Sequence, residues 1–220
     1  MDRMNVMHCV REMQNMVFPI FCRICGTYMY WRHPICRDCL RTIDPVAPVD
    51  IAITDTRVMS VAAASRYEGH VARMIVRKHR RDVAAMHDIG WLMACRCASF
   101  LLQVDVLVVI PLHWWRYAQR GFNQAEIIAE RLSRDTGIPW VRALRRTTWH
   151  SSQAGQSHTE RYANVHDAFA VTTHASRIAG QRVAIIDDVM ASGATLKAAA
   201  RVLNRARAQQ VYAVVGARTV

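Results

Sequence analysis

Val183-Ala184-Ile185-Ile186-Asp187-Asp188-Val189-Met190-Ala191-Ser192-Gly193-Ala194-Thr195 is the stretch on which the reading of this chain turns. An unbroken apolar run suits a strand buried on both faces of a parallel sheet. The pattern predicts a strand over 182–186, two carboxylates after it, and a small-residue turn that opens a helix over 195–208. Ligands of open α/β sheets bind at the carboxyl ends of the strands, which is where such a turn lies. Ala191, Ser192, Gly193, Ala194 and Thr195 leave backbone N–H groups uncovered, and a helix start adds partial positive charge, so the segment is a candidate phosphate cradle. It is not a nucleotide P-loop, because G-x-x-x-x-G-K-[ST] occurs nowhere in the chain.

Two carboxylates beside a phosphate cradle repel an anion unless the ligand also presents hydroxyls or developing positive charge. A ribose 5-phosphate does both. Asp187 and Asp188 are therefore candidates to accept hydrogen bonds from the 2- and 3-hydroxyls and to stabilise an oxocarbenium-like carbon, the catalytic role in this reading. The alternative is an acidic cap on a helix start.

Working outward, helix and strand patterns alternate from about Ile51. Val58 to Ala64 reads as a first strand, and 69–79 and 82–102 read as helices with Val71, Met74, Ile75, Val83, Met86, Ile89, Leu92 and Met93 on apolar faces. Val104 to Ile110, apolar but for Asp105, reads as a strand stopped by Pro111. A helix is expected from Asn123 to Thr136, ended by Gly137 and Pro139, and a last strand over Val211 to Val215. Arg145 to Thr159 is polar and without period, a loop. The fold class is α/β, a doubly wound parallel sheet spanning residues 51–220.

Upstream, Cys22-x-x-Cys25 and Cys36-x-x-Cys39 are two knuckles with ten residues between them. Four thiolates from two tight turns suit one tetrahedral Zn²⁺ as a structural staple of a small zinc-ribbon module, residues 1–44, which is too short to bury much core. A disulfide pair is the alternative. Nucleic-acid contact through Arg23, Arg32, Arg37 and Arg41 is a further role open to the module. Cys9, Cys95 and Cys97 read as small core residues, and Pro45 and Pro48 mark a linker over Asp44 to Asp50. Met4, Met7, Val10, Met13, Met16 and Val17 recur at helical spacing, as a helix packed on the body or as a membrane-surface anchor.

The 220 residues are 52% apolar and 21% charged, which excludes a disordered tail protein. Net charge is +12. Only Lys78 and Lys197 are lysines, and this excess of arginine fits phosphate binding or codon bias equally. No apolar run approaches the ~18 residues of a membrane span and no secretory signal is present, so the expected compartment is the cytoplasm.

The segment 183–195 resembles the phosphoribosyl-diphosphate (PRPP) signature of type I phosphoribosyltransferases. Ile110-Pro111-Leu112-His113, Arg116 and Arg120-Gly121-Phe122-Asn123-Gln124 resemble the R-G-F-N-Q block of the ComF family. So do Gln153-Ala154-Gly155, Arg161, Asn164 and Ala168-Phe169, and Tyr67, Gly69 and Lys78 match that family's Tyr-x-Gly and Lys. The family also begins with a four-cysteine zinc module. Two positions depart from it: Ala191 stands where Thr is usual, and Gln156 where an apolar residue is common.

The resemblance implies a type I phosphoribosyltransferase-like fold that binds PRPP with Mg²⁺ across the diphosphate and ribose hydroxyls. It makes Arg116 and Arg120 candidates for the leaving diphosphate, joined by Lys78 and Arg161, with Asn123 orienting the loop; a solvated helix face is the alternative for the two arginines. Residues around Gln153 would close over the site, and Trp114, Trp115, Trp149 and Phe169 either stack on a base or pack in the core. No general base stands out; Glu126 and His150 are near in sequence only. The resemblance also implies a role in DNA uptake, with single-stranded DNA and the uptake machinery as partners.

Overall fold

The apolar run at Val183–Ile186 lies in the middle of a sheet and is fully buried, as a strand covered on both faces must be. The computed structural model describes residues 19–30, 33–76, 82–112, 114–147 and 168–219, with the backbone alone at Trp114, Arg116 and Arg120. The expectations for Met4–Val17, Arg32, Lys78, Trp149, His150, Gln153–Gln156, Arg161 and Asn164 lie outside the described residues. The chain divides into two units after Asp44.

The first unit holds β1 (Ile20–Phe21) and β2 (Tyr28–Met29), an antiparallel pair with Ile20 opposite Met29, and α1 (Arg37–Arg41), whose start is capped by the Cys36 side chain. Its small core is Cys22, Met29, Ile35 and Ile43.

The second unit runs β3 (Val49–Thr54), β4 (Arg57–Ala63), α2 (Gly69–Val76), α3 (Val83–Arg96), α4 (Ala98–Leu101), β5 (Val106–Val109), α5 (Trp114–Arg120) and α6 (Gln124–Thr136). There follow β6 (Trp140–Val141), β7 (Leu144–Arg146), β8 (Phe169–Val171), a 3-10 turn at Thr173–Ile178, β9 (Arg182–Met190), α7 (Ala194–Arg205) and β10 (Gln210–Arg218). The main sheet has six strands in the order β3-β4-β10-β9-β5-β6, parallel except at the β3–β4 edge.

Helices cover both faces. α7 packs Leu196, Ala199 and Leu203 into the core that holds Val183, Ile185, Val211, Ala213 and Val215. On the other face α3 lies against β10 at Gly216, where a Cβ would stand 2.7 Å from Ile89 Cγ2. α3 and α6 meet at Gly90, where a Cβ would come within 2.8 Å of Arg131 Cβ; only glycine permits that approach. Among the described residues no helix is long and apolar enough to cross a membrane.

Several expectations are corrected. The sheet is mixed, because Val49–Thr54, in part assigned to a linker, pairs antiparallel with β4 through a tight turn at Asp55–Thr56. Val49, Ile51 and Ile53 face inward and alternate with exposed Asp50, Ala52 and Thr54, a strand pattern that the linker reading around Pro45 and Pro48 overrode. The helix expected over 82–102 breaks at Cys97, which is buried, its thiol pushed up to about 12 by that burial; Cys95 is exposed rather than core. The segment 145–159 begins inside β7, not in a loop. Both β9 and β10 run further than expected, to Met190 and Arg218, so Asp187 and Asp188 are strand residues.

Candidate functional site

β9 extends past its apolar run because its neighbours do. Asp187 pairs with Val215, Val189 with Ala217 and Met190 with Arg218 on β10. The two carboxylates are therefore not equivalent members of a turn, since consecutive strand residues leave on opposite sides. Asp187 is half-buried and its Oδ1 accepts a hydrogen bond from the Asp188 N–H at 2.9 Å; Asp188 is 9% exposed.

After Met190 the chain turns through exposed Ala191 and Ser192 and buried Gly193 into α7. Gly193 caps that helix in the left-handed conformation, φ 73°, and a Cβ there would sit 2.7 Å from Ile51 Cδ1 on β3. It supplies no side-chain cap, and the first turn of α7, with Ala194 and Thr195 half-buried, has no acidic residue. Ser192 Oγ accepts weakly from the Ala194 N–H, at 3.5 Å. A helix start left uncapped in this way retains its capacity for an anion.

The R-G-F-N-Q block meets the same edge of the sheet. Asn123 is 4% exposed; its Nδ2 donates to Ile110 O at 3.0 Å and its Oδ1 accepts from the Ala125 N–H at 3.2 Å. One side chain thus caps α6 and ties it to the end of β5, which places α5, and with it the backbone of Arg116 and Arg120, at the carboxyl end of the sheet. Gln124 beside it is 3% exposed, and its Nε2 has no hydrogen-bond partner among the described residues. Glu126 is held by Arg142 through both carboxylate oxygens at 2.8 Å, so it is a structural partner rather than a free base. Phe169 is 6% exposed in the core and offers no face to a base, whereas Trp115 is exposed.

The sequence reading gave no role to Arg218. It ends β10 beside Met190, is 9% exposed, and its Nε has no hydrogen-bond partner among the described residues. An isolated parallel bridge sets Arg66, just past β4, next to it. The only signal in the sequence was an arginine closing an apolar strand.

In the first unit the ligand atoms of Cys22, Cys25, Cys36 and Cys39 all lie within 4.8 Å of one another, with Cys25 Sγ 3.8 Å from Cys36 Sγ. Metal–sulfur bonds of about 2.3 Å in a tetrahedron set sulfurs about 3.8 Å apart, so the donor set fits an ion such as Zn²⁺. Amides point at the sulfurs: Cys36 N–H at Cys22 Sγ, 3.3 Å, and Cys39 N–H at Cys36 Sγ, 3.4 Å. Thr27 beside Cys25 draws that thiol down to about 6, while burial and then the neighbouring thiols push Cys39 up. Thiols this close become thiolates together only around a cation.

On the hairpin of this unit Phe21, Tyr28 and Tyr30 form an exposed ladder of edge-on rings, with centroids 6.0 and 5.1 Å apart, and Tyr30 is 76% exposed. Arg23, Arg37 and Arg41 of the same unit are exposed.

The phosphoribosyl transferase domain family matches residues 117–218. Competence protein F of Haemophilus influenzae is 29% identical over 108 residues, 49% of this chain and 47% of that protein. Competence protein ComFC of Bacillus subtilis is 37% identical over 98 residues, 44% of this chain and 38% of that protein. A DNA utilization protein, YhgH, of Salmonella typhimurium is 25% identical over 196 residues, 84% of each. The match spans about half the length of the Haemophilus protein.

Proposed function

From membership of the ComF family and a type I phosphoribosyltransferase fold, we propose that the second unit binds PRPP and transfers its phosphoribosyl group to a nitrogen nucleophile with release of diphosphate. The observation that carries this reading is the run of β9 through Asp187 and Asp188 into a left-handed Gly193 and an uncapped α7. The amides of Ala191–Thr195 hold the 5-phosphate, and Asp187, the more open carboxylate, meets the ribose hydroxyls. Asp188, nearly buried, adds negative charge beneath the anomeric carbon as its bond to the diphosphate oxygen breaks and the carbon–nitrogen bond forms. Arg116 and Arg120, with Lys78 and Arg161, neutralise the departing diphosphate. Mg²⁺, when bound with PRPP, supplies further charge neutralisation on the diphosphate. Zn²⁺ on the four cysteines of the first unit is a structural staple.

Calorimetry with PRPP and Mg²⁺ tests the site. Asp187→Asn together with Asp188→Asn is expected to weaken PRPP binding at least tenfold while one zinc per chain is retained; unchanged affinity overturns the reading. Diphosphate release on incubation with a panel of bases and amines tests the transfer.

The aromatic ladder of the first unit favours a second reading, in which single-stranded DNA stacks on Phe21, Tyr28 and Tyr30 with arginines on its phosphates. The names of the relatives, which speak of competence and DNA utilization, agree with it. Filter binding should then strengthen with oligonucleotide length and fall linearly in log affinity with log salt. Tyr30→Ala should cost roughly 1–3 kcal/mol. Length-independent binding counts against it.

A further inference from the structure

At the amino end of the sheet, opposite the turn at 191–195, the second unit holds a cavity of about 290 Å³. It lies where β4 and β10 begin and α7 ends. Ile53 and Val211, each 1% exposed, floor it, and half-exposed Val58 forms one wall. The rim is polar: Thr56 and Arg57 enter from the turn into β4, and Asn204 from the last turn of α7. Arg57 is held at both backbone and head. Its N–H donates to Thr54 Oγ1 at 3.2 Å, and its Nη1 donates to Asn204 Oδ1 at 3.1 Å. The residue is exposed, and no carboxylate pairs with its guanidinium among the described residues.

Helical spacing sets Arg201 and Arg205 on the face of α7 that carries Asn204, and Arg201 Nε donates to Ile53 O at 3.2 Å, beside the cavity floor. Asp55 is the one carboxylate in the segments around the cavity, so three guanidinium groups leave two positive charges over. The carbonyl end of α7 carries only about half a negative charge, which Arg201 and Arg205 more than offset. We propose that this cavity binds a small phosphomonoester, its phosphoryl group on Arg57 and Thr56 and its organic part on Ile53, Val58 and Val211. The guanidinium fork suits two phosphoryl oxygens, and a dianion matches the surplus charge where a carboxylate matches half of it. The volume is at the small end of ligand pockets, which limits the organic part to about one ring. α7 has 12 residues, so about 18 Å separates this cavity from the turn at Gly193. The site is therefore a second one, and it stands or falls independently of the PRPP reading.

The test is amide NMR of the ¹⁵N-labelled full chain titrated with phenyl phosphate and, separately, with benzoate. Phenyl phosphate is expected to shift the amides of Thr56, Arg57 and Gln210 saturably, with a Kd below about 1 mM. Benzoate should bind there at least fivefold more weakly. Arg57→Gln, a change at an exposed position, should weaken phenyl phosphate at least fivefold. Asn204→Asp keeps the shape of the side chain and places a carboxylate on Arg57, so it should weaken the probe at least as much. Weaker or absent saturation at the three amides, or binding by either variant within twofold of wild type, overturns the inference. Benzoate as tight as phenyl phosphate overturns the phosphoryl assignment. Shifts confined to Ala191–Thr195 overturn the cavity site and leave the proposed cradle standing.

Discussion

Gly193→Ala isolates the geometry on which the proposed phosphate cradle depends. At φ 73° a Cβ meets the local backbone penalty of the left-handed region, about 1–2 kcal/mol. The same Cβ would stand 2.7 Å from Ile51 Cδ1, with Met190 Sδ at 3.7 Å. Overpacking of this kind costs about 1–3 kcal/mol, toward the lower end here because Cδ1 is the far end of a flexible side chain. The expected total is about 2–3 kcal/mol, or roughly 4–12 °C in melting temperature for a unit of this size. Ile51→Val deletes the offending methyl at a cost of about 0.5–1.5 kcal/mol on its own. In that background Gly193→Ala should lose only its backbone component, so the double-mutant cycle, measured by urea denaturation followed through tryptophan fluorescence, should show coupling of about 1 kcal/mol. Equal cost of Gly193→Ala in both backgrounds refutes the contact with β3, and a neutral Gly193→Ala refutes the left-handed cap.

Asn123→Ala should lower stability by about 1–3 kcal/mol, since it removes the cap of α6 and leaves Ile110 O without its donor; a urea midpoint unchanged from wild type sinks that account. Asp105, which receives the N–H, Nε and a terminal nitrogen of Arg182 at 2.6–3.0 Å, is held at about 2 against an ordinary 3.8, chiefly by the side-chain bond. Its folded value is depressed, so the stabilisation is complete above about pH 4 and is lost as pH falls through 2. The stability gap between wild type and Asp105→Asn should therefore narrow over that window in acid-titrated melts, and a constant gap contradicts the pairing.

Local pattern was enough for the alternating α/β order, for the four-cysteine knuckle pair and for the strand–turn–helix at 183–195, because each is written in neighbouring residues: an apolar run, a two-residue spacer, a string of small side chains. Asn123 and Gly137 likewise announced the two ends of α6. The absence of G-x-x-x-x-G-K-[ST] also excluded a nucleotide P-loop from the sequence alone. Strand length was not legible. Asp187 and Asp188 looked like turn residues, and became strand residues only because β10 runs alongside them as far as Arg218. The edge strand β3 does alternate, with Val49, Ile51 and Ile53 inward and Asp50, Ala52 and Thr54 exposed, and it was missed because Pro45 and Pro48 drew a linker over its first residues. Arg66 and Arg218 are 152 positions apart, and nothing local links them; the parallel register of β4 and β10 makes them neighbours at the carboxyl ends of the two strands. Short-range physics chose the elements, whereas pairing across the sheet chose which charges face one another, because hydrogen-bond register is a property of two strands and never of one.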